Sequence, residues 1–173
     1  MSEAVAARSM SPVSSTASTA RSIALLLPLA LLGGALGSQY LGGLHPCEMC
    51  YWQRYPHAAA IVLAALAFAA PPTVPLSRAL TLLAALAIAI SGCIGVYHAG
   101  VEAKIFEGVT TCTALPKGLS TAEMLKQITQ APLVRCDEVQ FRFLGISMAG
   151  WNAILSLGGA ALILILELRS ARR

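Results

Sequence analysis

Four apolar stretches, each about the length of a bilayer crossing, constrain this chain more than any other feature. The first, residues 23–41, has no charged residue. The hydrocarbon core of a bilayer takes about 20 residues of helix, so one such stretch makes one crossing. The second covers residues 51–70 and is apolar except for Gln53, Arg54 and His57 near its start. Pro71-Pro72-Thr73-Val74-Pro75 then ends it as a tight turn. The third spans about 78–97, and the fourth spans 146–168 before Arg169, Arg172 and Arg173. Only 12% of the 173 residues are charged, and the mean hydropathy is +0.71. A soluble domain carries about a quarter charged residues, so lipid must solvate most of this surface. The expected fold is an all-α membrane protein, a four-transmembrane-helix bundle over residues 23–168.

Residues 1–22 are rich in Ser, Ala and Met, carry Arg8 and Arg21, and read as a disordered tail. A cleaved signal peptide is disfavoured there, because the apolar run continues past the usual length. Gly33 and Gly37, and Ser91, Gly92 and Gly95 in span three, suit close helix contact. Cys93 reads as a small buried hydrophobe. Basic residues near the span ends place both termini (residues 169–173 forming the second tail) and the Pro turn in the cytoplasm. The long loop over residues 98–145 then lies outside, where disulfides persist. Within it, Ser120-Thr121-Ala122-Glu123 fits a capping box, and Met124, Leu125 and Ile128 form an apolar stripe behind it. A short amphipathic helix follows, lying in the membrane interface or packed on the loop itself. The formal charge of +4 is scattered, which gives no nucleic-acid footprint.

The chemistry concentrates in His45-Pro-Cys-Glu-Met-Cys-Tyr-Trp-Gln-Arg54. Pro46 in the first turn would start a helix at no hydrogen-bond cost. Cys47, Cys50 and Arg54 then share one helix face, at i, i+3 and i+7. A helix N-terminus and a guanidinium both favour a thiolate over a thiol. The C-x-x-C spacing serves dithiol redox chemistry or half a zinc site, with His45 and His57 as the further metal ligands. Arg54 favours the redox reading, since a fixed cation aids a thiolate and opposes a metal. An arginine just inside a span needs a partner or must reach the headgroups. A Cys50 thiolate or the oxygen of a reducible ring would serve, with His98 and Glu102 completing the pocket. A bond between Cys112 and Cys136 would stabilise the loop by roughly 3 kcal/mol in the chain-entropy model. It serves as a staple or as the first member of a relay, one pair exchanging with the other through a mixed disulfide.

From residue 23 to 168 the chain resembles the disulfide bond formation protein B (DsbB) family of bacterial inner-membrane thiol oxidases. The resemblance rests on the four spans, Cys47-Glu-Met-Cys50 opening span two, Arg54, and Tyr97-His98. Cys112 and Cys136 in the loop and Phe143-Leu144-Gly145-Ile146-Ser147-Met148 entering span four complete it. It implies a quinone-dependent oxidant of a periplasmic thioredoxin-fold partner of the DsbA type. On this analogy Cys112 takes the partner in a mixed disulfide and Cys136 completes the loop disulfide. Cys47 and Cys50 receive the electrons, and Cys50 passes them to ubiquinone or menaquinone beside Arg54, with His98, Met148 and Trp151 lining the site. Gln53 departs from relatives that carry an acid before the arginine. A vitamin K epoxide reductase-like enzyme is disfavoured, because there the loop pair precedes the C-x-x-C. Three rival readings stand beside it. The chain could be a thiol reductase running in reverse, a metal-binding membrane protein using His45, Cys47, Cys50 and His57, or a structural bundle with one outer disulfide.

Overall fold

A computed structural model describes residues 12–108, 120–122, 125 and 134–172. Four helices account for most of it: α1 (Pro12–Tyr40), α2 (Glu48–Ala67), α3 (Pro75–Glu102) and α4 (Met148–Ala171). Helix α3 packs against α2 and α4, α1 packs against the same two, and α1 and α3 meet only slightly. The four therefore close into a ring. Three stretches, Ser15–Tyr40, Pro75–Glu102 and Met148–Ala171, are long and apolar enough to cross a membrane. Helix α2, with 20 residues, carries Glu48, Gln53, Arg54 and His57 in its first half and is not among them.

The interior is built from small residues, as expected where lipid tails are as apolar as leucine and only close backbone approach drives packing. Ala20, Ala24, Ala60, Ala64, Ala84 and Ala160 are buried around Ile88 and Ile163, whereas Leu26, Leu86, Ile154 and Leu164 face outward. A Cβ on Gly95 would lie 3.0 Å from both the Ala149 oxygen and the Ala153 nitrogen, and one on Gly92 would lie 2.8 Å from Leu157 Cγ. The α3–α4 seam thus depends on glycine, as expected. Around Gly33 and Gly37 no such neighbour lies within 4 Å, so this pair does not make the close contact its spacing implied. Cys93 likewise faces outward instead of being buried.

Several boundaries differ from expectation for reasons of packing. Residues 12–22, expected in a disordered tail, are helical, with Ala17 and Ala20 buried. Arg21 Nη1 donates to the Ala67 and Ala70 carbonyls at 3.1 and 2.8 Å, with its guanidinium 4.1 Å from the Phe68 ring centroid. These are the carbonyls that the end of α2 leaves without intrahelical partners. Helix α3 runs on to Glu102 because its last turn buries Val101 against Cys47 and Met49. Span four is preceded by a hairpin in which β1 (Arg142–Phe143) pairs antiparallel with β2 (Ile146–Ser147). Its turn residues Leu144 and Gly145 have φ of 50° and 81°, the left-handed pair that a two-residue hairpin requires. Cys112 and, within the expected loop helix, Glu123, Met124 and Ile128 lie outside the described residues.

Candidate functional site

Helix α2 starts at Glu48, with Cys47 as its N-cap, so Pro46 precedes the cap and does not occupy the first turn. Cys47 Sγ accepts from the Cys50 backbone N–H at 3.4 Å, and the two sulfurs are 3.0 Å apart. Both sit ahead of the apolar stretch that begins at Tyr51. Cys47 is 4% exposed and packs in one cluster with Met49, Val101 and Cys136. Cys136 is thereby brought to Cys47. The segment carrying Cys136 is tied to the end of α3 by Asp137, which accepts from Lys104 and from Arg135. The two thiols are unequal. Their mutual hydrogen bond, and then burial, push the Cys47 thiol up. The same bond pulls Cys50 down, helped by a backbone hydrogen bond to Cys47 and by the Arg54 charge. The neighbours therefore favour the negative charge on Cys50 over Cys47.

His98 stands beside them, with Nε2 3.6 Å from Cys47 Sγ and 3.8 Å from Glu102 Oε1. Behind it runs a buried polar chain. Gln53 Nε2 donates to His98 Nδ1 at 2.8 Å, and Asn152 Nδ2 donates to Gln53 Oε1 at 2.8 Å. His57 Nε2 donates to Asn152 Oδ1 at 2.8 Å, while Ser91 Oγ donates to the Gln53 carbonyl at 2.8 Å. Three helices are stitched together at the level of the cysteines.

Arg54 lies on the opposite wall. Its Nη1 donates to Gln39 Oε1 and its Nη2 to the Ala35 carbonyl at 3.0 Å, so α1 holds it with neutral acceptors alone. Between these walls is a cavity of about 610 Å³. Cys47, Cys50, Arg54, His98, Met148 and Trp151 all line it, together with apolar residues of α1 such as Leu31 and Leu32. Every described residue expected to line the quinone site is therefore brought together. Trp151 is oriented by its Nε1, which donates to the Phe143 carbonyl at 2.9 Å.

The metal reading finds a different donor set from the one expected. His57 Nε2 is occupied by Asn152, and among the described residues His45 is not grouped with the two cysteines. Instead, Cys47, Cys50 and His98 place their donor atoms within 4.8 Å of one another. The residues that sequence reasoning missed are Asn152, Ser91, Ser156 and Gln39. A polar side chain inside an apolar span was the available signal for the first three.

Comparison with known proteins agrees with this geometry. The model of the family described as "Disulfide bond formation protein DsbB" matches residues 17–166. The chain belongs to the DsbB family. It is 32% identical over 152 residues to a protein of Chromohalobacter salexigens named "Disulfide bond formation protein B", covering 83% of this chain and 84% of that one. It is also 25% identical over 139 residues to an uncharacterised protein of Rickettsia prowazekii, covering 78% of each. No solved structure matches it. As a DsbB-family protein it is a membrane oxidoreductase of disulfide bond formation, and its two C-x-x-C sulfurs and Arg54 fall within the matched region.

Proposed function

We propose that the protein reoxidises a periplasmic DsbA-type dithiol partner and delivers the electrons to a quinone in the cavity lined by all four helices. The supporting observation is that this one cavity is lined by Cys50, by Arg54 and by apolar residues of α1. Its donor set suits a lipid-soluble ring with carbonyl oxygens: Arg54 and His98 offer polar contacts, and Leu31, Leu32 and Met148 offer apolar wall. A bound quinone supplies the two-electron acceptor, taking up two protons as it becomes quinol.

The thiol steps balance without any other oxidant. A partner thiolate attacks Cys112 of the Cys112–Cys136 disulfide, and Cys136 leaves as a thiolate. Cys136 attacks Cys47, forming the Cys136–Cys47 bond, breaking Cys47–Cys50, and releasing the Cys50 thiolate beside Arg54. The partner's second thiol resolves its bond to Cys112, and the freed Cys112 thiolate then attacks Cys136 and releases Cys47. Cys136 and Cys47 are buried in one cluster, with Cys50 packed at its edge, and this proximity supports the order. Both termini and the Pro turn are cytoplasmic on this reading, and α2 completes a fourth crossing of the bacterial inner membrane. The test is oxidation of a reduced thioredoxin-fold partner with and without added ubiquinone or menaquinone. Oxidation that depends on quinone and stops in Cys50→Ser is expected. Equal rates with and without quinone would remove the cavity from the reaction.

A further inference from the structure

Which nitrogen of His98 carries its proton follows from neighbours that can only accept. Asn152 Nδ2 lies 3.1 Å from the Ser91 backbone carbonyl, which fixes that end of the amide as the donor. Asn152 Oδ1 correspondingly accepts from His57 Nε2 and from Ser156 Oγ, at 2.8 and 2.9 Å. Gln53 Oε1 accepts from Asn152, and Gln53 Nε2 lies 3.2 Å from the Met49 carbonyl, so this amide is oriented at both ends. The remaining N–H of Gln53 therefore points at His98 Nδ1, which must accept it. A neutral imidazole that accepts at Nδ1 carries its hydrogen on Nε2, and Nε2 faces both the Cys136 backbone, to which the ring is hydrogen-bonded, and Cys47 Sγ at 3.6 Å.

We propose that Gln53 and Asn152 are positioning residues that hold His98 in the Nε2–H tautomer, so that it donates a hydrogen bond to the Cys47 sulfur and stabilises Cys47 as a leaving thiolate. The proposal rests on the relay described above and identifies the step it assists. When the Cys112 thiolate attacks Cys136, the Cys112–Cys136 bond forms and the Cys136–Cys47 bond breaks. The electron pair goes to Cys47 Sγ, and the proton stays on His98. Cys47 is 4% exposed, so its sulfur draws little on bulk water, and a preoriented donor is needed where the charge develops. The other charged groups here are Glu102 of α3, Arg54 of α2 and Arg142 of β1. Glu102 Oε1 is 3.8 Å from His98 Nε2, beyond hydrogen-bond range. Arg54 acts on Cys50, and Arg142 acts on Glu102. The same tautomer works against a cation among Cys47, Cys50 and His98, because it presents a hydrogen there instead of a lone pair.

Neither test needs quinone or partner, so their failure is distinguishable from failure of the relay. In the full-length protein labelled with ¹⁵N-histidine, with signals assigned through His45→Gln and His57→Gln, His98 should be protonated at Nε2 and bare at Nδ1. In Gln53→Glu a carboxylate replaces the amide donor, and protonation should appear at Nδ1. In a chain whose only cysteine is Cys47, Gln53→Met should slow iodoacetamide alkylation at neutral pH roughly tenfold, the effect of losing one hydrogen bond to a charged sulfur. Asn152→Leu should slow it in the same direction. Both effects should vanish in a His98→Phe background, since a residue that acts only through His98 has nothing left to act on. Protonation of His98 at Nδ1 in the unsubstituted protein would overturn the proposal. So would slowing by Gln53→Met that persists in His98→Phe.

Discussion

Arg54 is the residue whose replacement should separate the proposed quinone use from thiol exchange most cleanly. Its guanidinium is held by Gln39 Oε1 and the Ala35 carbonyl, both neutral, and it forms no ion pair among the described residues. Its charge is therefore uncompensated at the wall of the cavity that Cys50 also lines. One charge-assisted hydrogen bond contributes about 1.5–3 kcal/mol, which is roughly 10- to 150-fold in an equilibrium or a rate. Arg54→Met preserves the length and most of the apolar stem and removes the charge. It is expected to lower kcat/KM for quinone by that factor, measured with saturating reduced partner. Single-turnover exchange between partner and Cys112 should stay at its original rate, because on the proposed relay that step involves neither Cys50 nor quinone. Arg54→Lys keeps the charge but lacks the fork that reaches two acceptors and the cavity together, so it should fall between the two. An Arg54→Met protein with unaltered thermal stability and unaltered kcat/KM for quinone would refute this account of the charge.

Three further outcomes follow from other parts of the molecule. Incubated with oxidised partner, Cys136→Ser should form a mixed disulfide as the Cys112 thiolate attacks the partner's disulfide, seen on non-reducing gels; a species joining Cys47 to the partner would reverse the assignment of the pairs. Gly95→Leu pushes a side chain against the Ala149 and Ala153 backbone, which lie 3.0 Å from a Cβ there. Such overpacking costs about 1–3 kcal/mol, read as a lower unfolding midpoint in detergent, whereas Gly33→Ala should leave that midpoint unchanged. Asp137 is held well below the ordinary carboxylate range, first by its hydrogen bond from Arg135 and then by that from Lys104. A depressed folded value means the clamp is intact above the ordinary carboxylate pKa and is lost only as pH falls through the lowered value. The Asp137 clamp itself should therefore persist down to about pH 4, read by NMR of the Asp137 carboxyl, and Asp137→Asn should slow exchange from Cys136 to Cys47 at neutral pH.

Much of the fold was legible because lipid permits few solutions. An apolar run of membrane length has to satisfy its backbone within itself, so helix is the default wherever such a run occurs. Failures arose where a contact between elements decided the outcome. Nothing local marks residues 12–22 as helix; their register is held by Arg21, which binds the end of α2. Gly33-x-x-x-Gly37 and the Gly92 and Gly95 positions look alike as strings of small residues. Only the rotation of each helix about its axis determines which of them meets a neighbour, and spacing does not report that rotation. Cys93 was misplaced for the same reason.

The site divides along a related line. Cys47, Cys50, Arg54 and His98 were readable because chemistry demands those residue types near the start or end of a span. Gln53 stood out only as a departure from relatives, and Asn152 did not stand out, although a buried amide inside an apolar helix calls for an explanation. Its explanation lies in pairing: Asn152 bonds to Gln53, Ser91, His57 and Ser156 from three helices. A polar group in lipid that is fully satisfied by protein can be structural. One with capacity left over has to meet something else. Arg54, without a counter-ion among the described residues, and His98 Nε2, which faces the Cys47 sulfur and the Cys136 backbone, are the groups of the second kind. They flank the Cys47–Cys50 pair, one on the side of Cys50 and the other on the side of Cys47. The two sulfurs are thereby made unequal by opposite neighbours. Arg54 favours Cys50 as the outgoing thiolate, and His98 favours the release of Cys47. On the proposed relay, exchanging the two cysteines' roles would leave each developing charge beside the wrong group, so the order of the proposed steps follows from where the arginine and the histidine stand.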